Sequence, residues 1–213
     1  MKAIVLLSGG LDSCVAASVA LSSIGRAPAR SLTALAVHYG QRHSIELDAA
    51  SAVADVLNLP LTRVDARLDT FGRNALTSTS VAPSSGRSVE QITSDARPST
   101  FVPARNAVLL SLAASFAASC GAVEVWIGSN RDDAFGYPDC RPEFFRAFEA
   151  TSRAGGFPIS VRHPLTELSK REVARLGRSL SSPIHLTWSC YDPQGSMPCD
   201  ACDACVLRRE ALA

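Results

Sequence analysis

Apolar positions along this chain fall in two alternating rhythms. Ala3–Leu7 is an unbroken apolar run, the pattern of a strand buried on both faces. Leu32–Tyr39 is a second apolar run, and Leu61–Val64 and Val123–Ile127 read as a third and a fourth short strand. Between these runs the apolar residues recur at helical spacing. Ile45–Leu57 places Ile45, Ala49, Ala52, Val53 and Val56 on one face, and Arg105–Ser119 clusters Leu109, Leu112, Ala113 and Phe116. Asp12–Ser23 and Glu143–Arg153 read as further helices. Ser169–Glu172 fits a capping box ahead of Val173 and Leu176. Strands alternating with helices predict an α/β fold, a doubly wound, Rossmann-like parallel sheet. Two stretches break the rhythm. Residues 66–102 are rich in Ser, Thr, Pro and Arg without periodicity, and are expected to form a partly mobile cover over a site. Residues 181–213 carry a cysteine cluster. The expected division is therefore a catalytic domain over 1–180 and a small C-terminal appendage over 181–213.

Bulk properties narrow the function classes. The chain has 213 residues, 46% of them hydrophobic and 19% charged, ordinary for a globular protein. Its formal net charge is +1 and it shows no basic stripe, which argues against a nucleic-acid partner. No apolar stretch approaches the ~20 residues of a membrane span. The apolar run after Met1-Lys2 is too short for a secretory signal. A cytoplasmic protein is expected.

Ser8-Gly9-Gly10-Leu11-Asp12-Ser13 sits between a predicted strand and a predicted helix. Glycines let backbone amides approach an anion, hydroxyls add donors, and the helix N-terminus adds partial positive charge. Phosphate binding at the end of a parallel strand is the chemistry this favours; a plain strand-to-helix turn is the blander alternative. The string is neither a Walker A loop nor a dinucleotide fingerprint.

Three more segments follow strand ends or open helices: His38–His43, Phe101–Asn106 and Gly128–Glu143. Loops of this kind gather at one edge of a doubly wound sheet. Their Tyr and Phe can stack on a planar heterocycle, and their Asp, Asn, Gln and Arg can read its edges. Singly, each has a plainer reading: Asp132 and Asp133 as a solvated turn, Tyr39 as core, Arg42 and Lys170 as surface charges, His38 and His43 as loop histidines.

Of seven cysteines, four lie in the last 24 residues. Cys199-x2-Cys202-x2-Cys205, with Cys190 upstream, supplies four thiolates, a set that suits tetrahedral Zn²⁺. An iron–sulfur cluster is the competing ligand. Cys14 and Cys120 read as small buried hydrophobes, while Cys140 lies in a site segment.

Ser8–Ser13 resembles the PP-loop, SGGxDS, of the N-type ATP pyrophosphatases, which adopt the adenine nucleotide alpha hydrolase-like fold. Tyr39–His43, Thr100–Asn106 and Gly136–Phe144 resemble the YGQRH, TFVPGRN and GYPDCRPEF strings of one subfamily, the 7-cyano-7-deazaguanine synthases. The resemblance spans essentially the whole chain. It implies a carbon–nitrogen ligase of queuosine biosynthesis. That enzyme converts 7-carboxy-7-deazaguanine and ammonia, free or delivered by a partner, into a nitrile through adenylated carboxylate and amide intermediates.

It also implies ATP and Mg²⁺ at Leu7, Ser8, Gly9, Gly10, Leu11, Asp12 and Ser13. Asp12, Lys170 and Arg105 become the catalytic candidates. The base falls to Tyr39, Gln41, Arg42, Phe101, Arg105, Asn106, Asp133, Tyr137, Asp139 and Arg141. A structural Zn²⁺ falls to Cys190, Cys199, Cys202 and Cys205, and a homodimer is implied. Two residues depart from the family pattern. Ala104 replaces a glycine, harmless only where φ is negative, and Phe135 replaces a serine; either would reshape the base pocket. The rival readings are a paralogue joining a deazapurine or another carboxylate to a different amine or protein, a PP-loop tRNA thiolation enzyme, and a zinc-ribbon interaction module without catalysis.

Overall fold

The computed structural model describes residues 2–25, 31–42 and 44–213. His43, one of the loop histidines considered above, lies outside the described residues. Five strands form one parallel sheet in the order β3-β2-β1-β4-β5: β1 (Lys2–Leu6), β2 (Ser31–His38), β3 (Leu61–Asp65), β4 (Glu124–Trp126) and β5 (Ser160–Arg162). The strand order runs outward in both directions from β1. The loops after β1 and β4 therefore diverge and leave a crevice at the carboxyl ends of the strands, where open α/β sheets bind ligands.

The continuous apolar runs are explained by burial on both faces. Along β1, Ile4 and Leu6 face one hydrophobic cluster, while Ala3 and Val5 face another with Leu7 just beyond. Along β2, Leu35 and Val37 join the first cluster, and Leu32, Ala34 and Ala36 the second. The first face is covered by α4 (Arg105–Cys120) through Leu110, Ala113, Ala114 and Ala117, and by α5 (Pro142–Ala154) through Phe145. The second is covered by α1 (Leu11–Ile24) through Cys14, Ala17 and Ala20, and by α2 (Ile45–Leu57) through Ala50, Val53 and Ala54. The small side chains of α1 and α4 let these helices lie close to the sheet.

The strand β5 did not stand out in the sequence, since it is three residues long and only its central Val161 is buried. The segment 66–102 does cover the crevice, but local hydrogen bonds rather than periodicity fix it. Asn74 Oδ1 accepts from Leu76 N (2.9 Å) and Thr77 N (3.1 Å), and Ala75 N donates to Ser99 O (2.9 Å). A short helix, α3 (Val89–Thr93), carries a full capping box between Ser88 and Gln91. The capping box at Ser169 and Glu172 opens α6 (Lys170–Ser179).

The cysteine segment is docked on the body of the molecule. Helix α7 (Asp203–Leu212) brings Ala211 onto Val173 and Ala174 of α6 and Leu11, Val15 and Ala16 of α1. It is also fastened to the cover: Asp203 N donates to Ser84 O (3.2 Å), Gly86 N to Ala201 O (3.1 Å), and Arg87 pairs with both Asp95 (2.8 Å) and Asp203.

Candidate active site

A cavity of about 280 Å³ opens at the switch point between β1 and β4. One end is made by the loop after β1. Gly9 adopts φ +87°, and a Cβ there would lie 2.1 Å from the Glu46 carbonyl oxygen, so only glycine lets the loop pack against α2. Gly128, after β4, is also closely packed: an added Cβ would lie 2.6 Å from Asp12 O. Ser13 Oγ donates to Gly10 O (3.0 Å) and accepts from Ser8 N (3.2 Å), which closes the loop into a tight ring. Trp188 N donates to Gly9 O (2.9 Å) and pins the ring from the cysteine segment. No side-chain hydrogen bond caps the start of α1, which leaves the partial positive charge of its N-terminus free to receive an anion. Leu7, Ser8, Gly10, Leu11, Asp12 and Ser13 line the cavity; Gly9 supports it from behind.

Charged groups gather beside this ring. Lys170 Nζ donates to Asp12 Oδ2 (2.8 Å), with both side chains under one-fifth exposed. The Lys170 backbone N donates to Asp132 Oδ2 (2.8 Å). Lys170 is thus no solvated surface lysine. Burial opposes its charge, but Asp12 and Asp133 outweigh that and hold its pKa above the usual lysine value. Asp133 lines the cavity rather than a solvated turn; burial first, then Asp12 and Asp132, raise its carboxyl above the usual range. Asn130 orders the turn, accepting from Asp132 N and Asp133 N while its amide donates to Asp133 Oδ2 (2.8 Å). The second oxygen of Asp12, Oδ1, is buried without a hydrogen-bond partner among the described residues. An isolated buried ion pair contributes little to stability, so this arrangement points to a ligand bearing phosphate oxygens or a hard cation.

The other end of the cavity is aromatic. The Arg105 guanidinium lies between two rings, 5.9 Å from the Tyr39 centroid and 5.7 Å from that of Tyr137. Tyr137 hydrogen-bonds Thr100 Oγ1 (2.6 Å) and stacks on Phe101 (centroids 6.3 Å apart). Tyr39, Arg105, Asn106, Asp133 and Tyr137 line the cavity, and so do Glu46, Trp188 and Tyr191, which sequence reasoning did not select. Glu46 begins what reads as an ordinary amphipathic helix, and Trp188 and Tyr191 flank a cysteine that drew attention for another reason.

The remaining base candidates stand outside the cavity lining and hold its walls. Gln41 Oε1 accepts from Tyr39 N (2.8 Å), Asp139 Oδ2 accepts from Asn106 N (2.9 Å), and Arg141 Nε donates to Ala134 O (2.8 Å). Arg42 pairs with Asp192 (3.3 Å), tying the loop after β2 to the cysteine segment, and Phe101 backs Tyr137. Neither family departure enters the lining. Phe135 is 54% exposed. Ala104 immediately precedes α4 with φ +56°, the left-handed region, so the condition of negative φ is not met and the alanine is strained. His38 is satisfied by Asp65 (2.9 Å).

The four clustered cysteines have Sγ atoms within 4.8 Å of one another. Cys190–Cys199 and Cys199–Cys205 separations are 3.5 and 4.0 Å. Thiolates around a tetrahedral ion with bonds of ~2.3 Å would sit roughly 3.8 Å apart, so the set fits a single metal. Backbone amides of Asp192 and Cys199 donate to Cys190 Sγ (3.4 and 3.2 Å), and that of Cys202 to Cys199 Sγ (3.3 Å), the outer-shell bonds that orient thiolates.

A family model described as queuosine biosynthesis protein QueC matches residues 2–213. The 7-cyano-7-deazaguanine synthase of Anaeromyxobacter dehalogenans (strain 2CP-C) is 45% identical over 219 residues, covering 100% of this chain and 91% of that protein. A protein of the same name from Leptospira interrogans serogroup Icterohaemorrhagiae serovar copenhageni is 42% identical, covering 99% and 86%. Among solved structures, the U34-tRNA thiolase NcsA from Methanococcus maripaludis with its 4Fe–4S cluster superposes with TM-score 0.57 at 19% identity, over 100% of this chain and 64% of that one. The NMN synthetase from Francisella tularensis gives TM-score 0.50 at 18% identity, over 93% and 70%. At these identities the structural likeness shows the fold alone.

Proposed function

Because the chain belongs to the QueC family of queuosine biosynthesis proteins, we propose that it is a 7-cyano-7-deazaguanine synthase, a carbon–nitrogen ligase acting on 7-carboxy-7-deazaguanine and ammonia. The observation that carries this reading is the single cavity whose one end is an anion-binding ring with Lys170 and Asp12, and whose other end is an aromatic wall holding Arg105.

In this reading the ring of Ser8–Ser13 and the N-terminus of α1 hold the ATP phosphates, with Lys170 against their charge. Asp12, through its unpartnered Oδ1, and Asp133 are the residues that would hold Mg²⁺, whose chemistry is to neutralise phosphate charge. Tyr39 and Tyr137 offer the planar base an aromatic wall, and Arg105, held between the two rings, faces its polar edge. The substrate carboxylate attacks the α-phosphorus and pyrophosphate leaves, giving an acyl-adenylate. Ammonia displaces AMP to form the amide. Activation of the amide oxygen by a second ATP, followed by loss of AMP, leaves the nitrile. The protein supplies positioning and charge stabilisation. The four cysteines would hold a structural Zn²⁺, since a closed thiolate shell leaves no position for water. The division near residue 180 and a cytoplasmic homodimer belong to the same reading; sedimentation velocity tests the dimer. Cys140 is a poor sulfur carrier: burial first, then Asp133 and Asp139, push its thiol up to about 12, which weighs against thiolation.

The test is incubation with 7-carboxy-7-deazaguanine, ATP, Mg²⁺ and an ammonium salt, followed by mass spectrometry of the base. Amide and then nitrile should appear, and both should vanish in Asp12→Ala. ATP cleavage with an untouched base would reject the substrate and favour a paralogue with another acceptor.

A further inference from the structure

Glu46 is the second residue of α2, and its carbonyl oxygen abuts Gly9 of the anion-binding ring. Its position is therefore fixed where the ring meets the aromatic wall. The side chain lines the cavity. The groups that act on it electrostatically are Arg105, Tyr39 and Tyr191. The other acids of the cavity have donors. Asp12 has Lys170 Nζ, Asp132 has Lys170 N, Asp133 has Asn130, and Asp95 and Asp203 share Arg87. Among the described residues, no hydrogen bond reaches the Glu46 carboxylate. Burial, opposed by Arg105, pushes its pKa up to about 7. The residue is half-buried, and a carboxylate that faces a cavity with no donor from the protein is free to take its donors from a ligand.

We propose that Glu46 is the specificity residue of the base site, its two oxygens accepting the adjacent ring N–H and exocyclic NH₂ of a 2-amino-4-oxo heterocycle. This rests on the reading of the preceding subsection and names the residue that selects its substrate. Only the 2-amino base offers two neighbouring donors at the spacing of a carboxylate, the geometry that makes guanidinium–carboxylate pairs bidentate. The tyrosines accept any flat ring, and the anion ring reads only phosphate. Glu46 is thus the group that would reject a purine-like base lacking the amino substituent, because its carboxylate would be left half unpaired.

The experiment compares wild type and Glu46→Gln on 7-carboxy-7-deazaguanine and on its analogue with hydrogen in place of the 2-amino group. Wild type should favour the amino base by at least about a hundredfold in kcat/KM. Glu46→Gln should lose most of that preference, falling about a hundredfold on the amino base and little on the analogue, with KM for ATP unchanged. The free variant should also melt at a higher temperature than wild type at pH 8, a gain that a structural glutamate would not give. Equal losses on both bases would assign Glu46 to the chemistry and overturn the proposal, as would an unchanged preference. Failure of wild type to convert the amino base at all would overturn the parent reading and this inference with it. Conversion by wild type with no change in selectivity would overturn the inference alone.

Discussion

The two ends of the cavity are built by opposite strategies. The anion end is mostly backbone: one contiguous string, Ser8–Ser13, folded into a ring by its own hydrogen bonds and seated on Gly9 and Gly128. The aromatic end, proposed above for the base, is side chains gathered from the loop after β2, the starts of α2 and α4, the turn after β4 and the cysteine segment. A phosphate group needs many converging N–H donors and little shape, which a short glycine-containing turn at a helix N-terminus supplies. A heterocycle needs a flat slot and edge partners, which no single turn can present. The first end therefore leans on few outside contacts, the Trp188 N–H among them, and the second depends on all of its surroundings.

The sharpest way to separate the two ends is Asp12→Asn. It should lower turnover about a thousandfold, in the range of lost preorganised charge partners, while calorimetry shows base affinity within about twofold of wild type. A comparable loss of base affinity would mean that the ends are not independent. A chelator, which would strip a metal held by the four cysteines, should act mainly on the other end. Tyr191 and Trp188 flank Cys190; Tyr191 lines the base end, whereas Trp188 touches the ring through one backbone hydrogen bond to Gly9, so both affinities should fall and base affinity the more. Thermal unfolding should shift down by roughly 10 °C, corresponding to about 3 kcal/mol for a chain of this length. Equal effects on both ligands would break the comparison.

The acid–base behaviour of Glu46 gives a smaller, signed effect. Its pKa is about 7 in the folded protein against 4.5 unperturbed. A raised carboxyl pKa means that the folded state binds the extra proton. Stability should therefore fall as pH rises from 4.5 to 7 and level off above. Denaturant titrations of wild type and Glu46→Gln should converge near pH 4.5 and differ by up to about 3 kcal/mol in favour of the variant above pH 7. The smallest effect belongs to Ala104. Glycine there should relieve the left-handed strain at φ +56° and stabilise by about 0.5–1 kcal/mol, net of its greater freedom when unfolded. A destabilised Ala104→Gly would show that the methyl group packs usefully despite its backbone.

The same contrast explains what the sequence made legible. Strands buried on both faces read as plain apolar runs, and the anion ring read as one string, because in both cases the signal is local. The base end was legible only as far as its loops. Gln41, Asp139 and Arg141 lie in the right segments, yet each uses its side chain to brace backbone, and nothing in a sequence distinguishes a brace from a contact. Glu46 was missed because its isolation is a property of its neighbours in space. The tie from Arg87 to Asp203 joins residues 116 apart, beyond any periodicity. One local signal does lie in the aperiodic cover: Ser88 and Gln91 have capping-box spacing and open α3.

The contact from Trp188 to Gly9 has a consequence for how the molecule is made. The five strands seen among the described residues all precede residue 163, so a chain emerging from the ribosome can finish this sheet before it can finish its site. The anion ring waits for Trp188, and the cover waits for Asp203. Interrupted synthesis would thus yield a folded-looking core with an unpinned ring, and translation of the last segment, rather than assembly of the core, marks the birth of a working cavity.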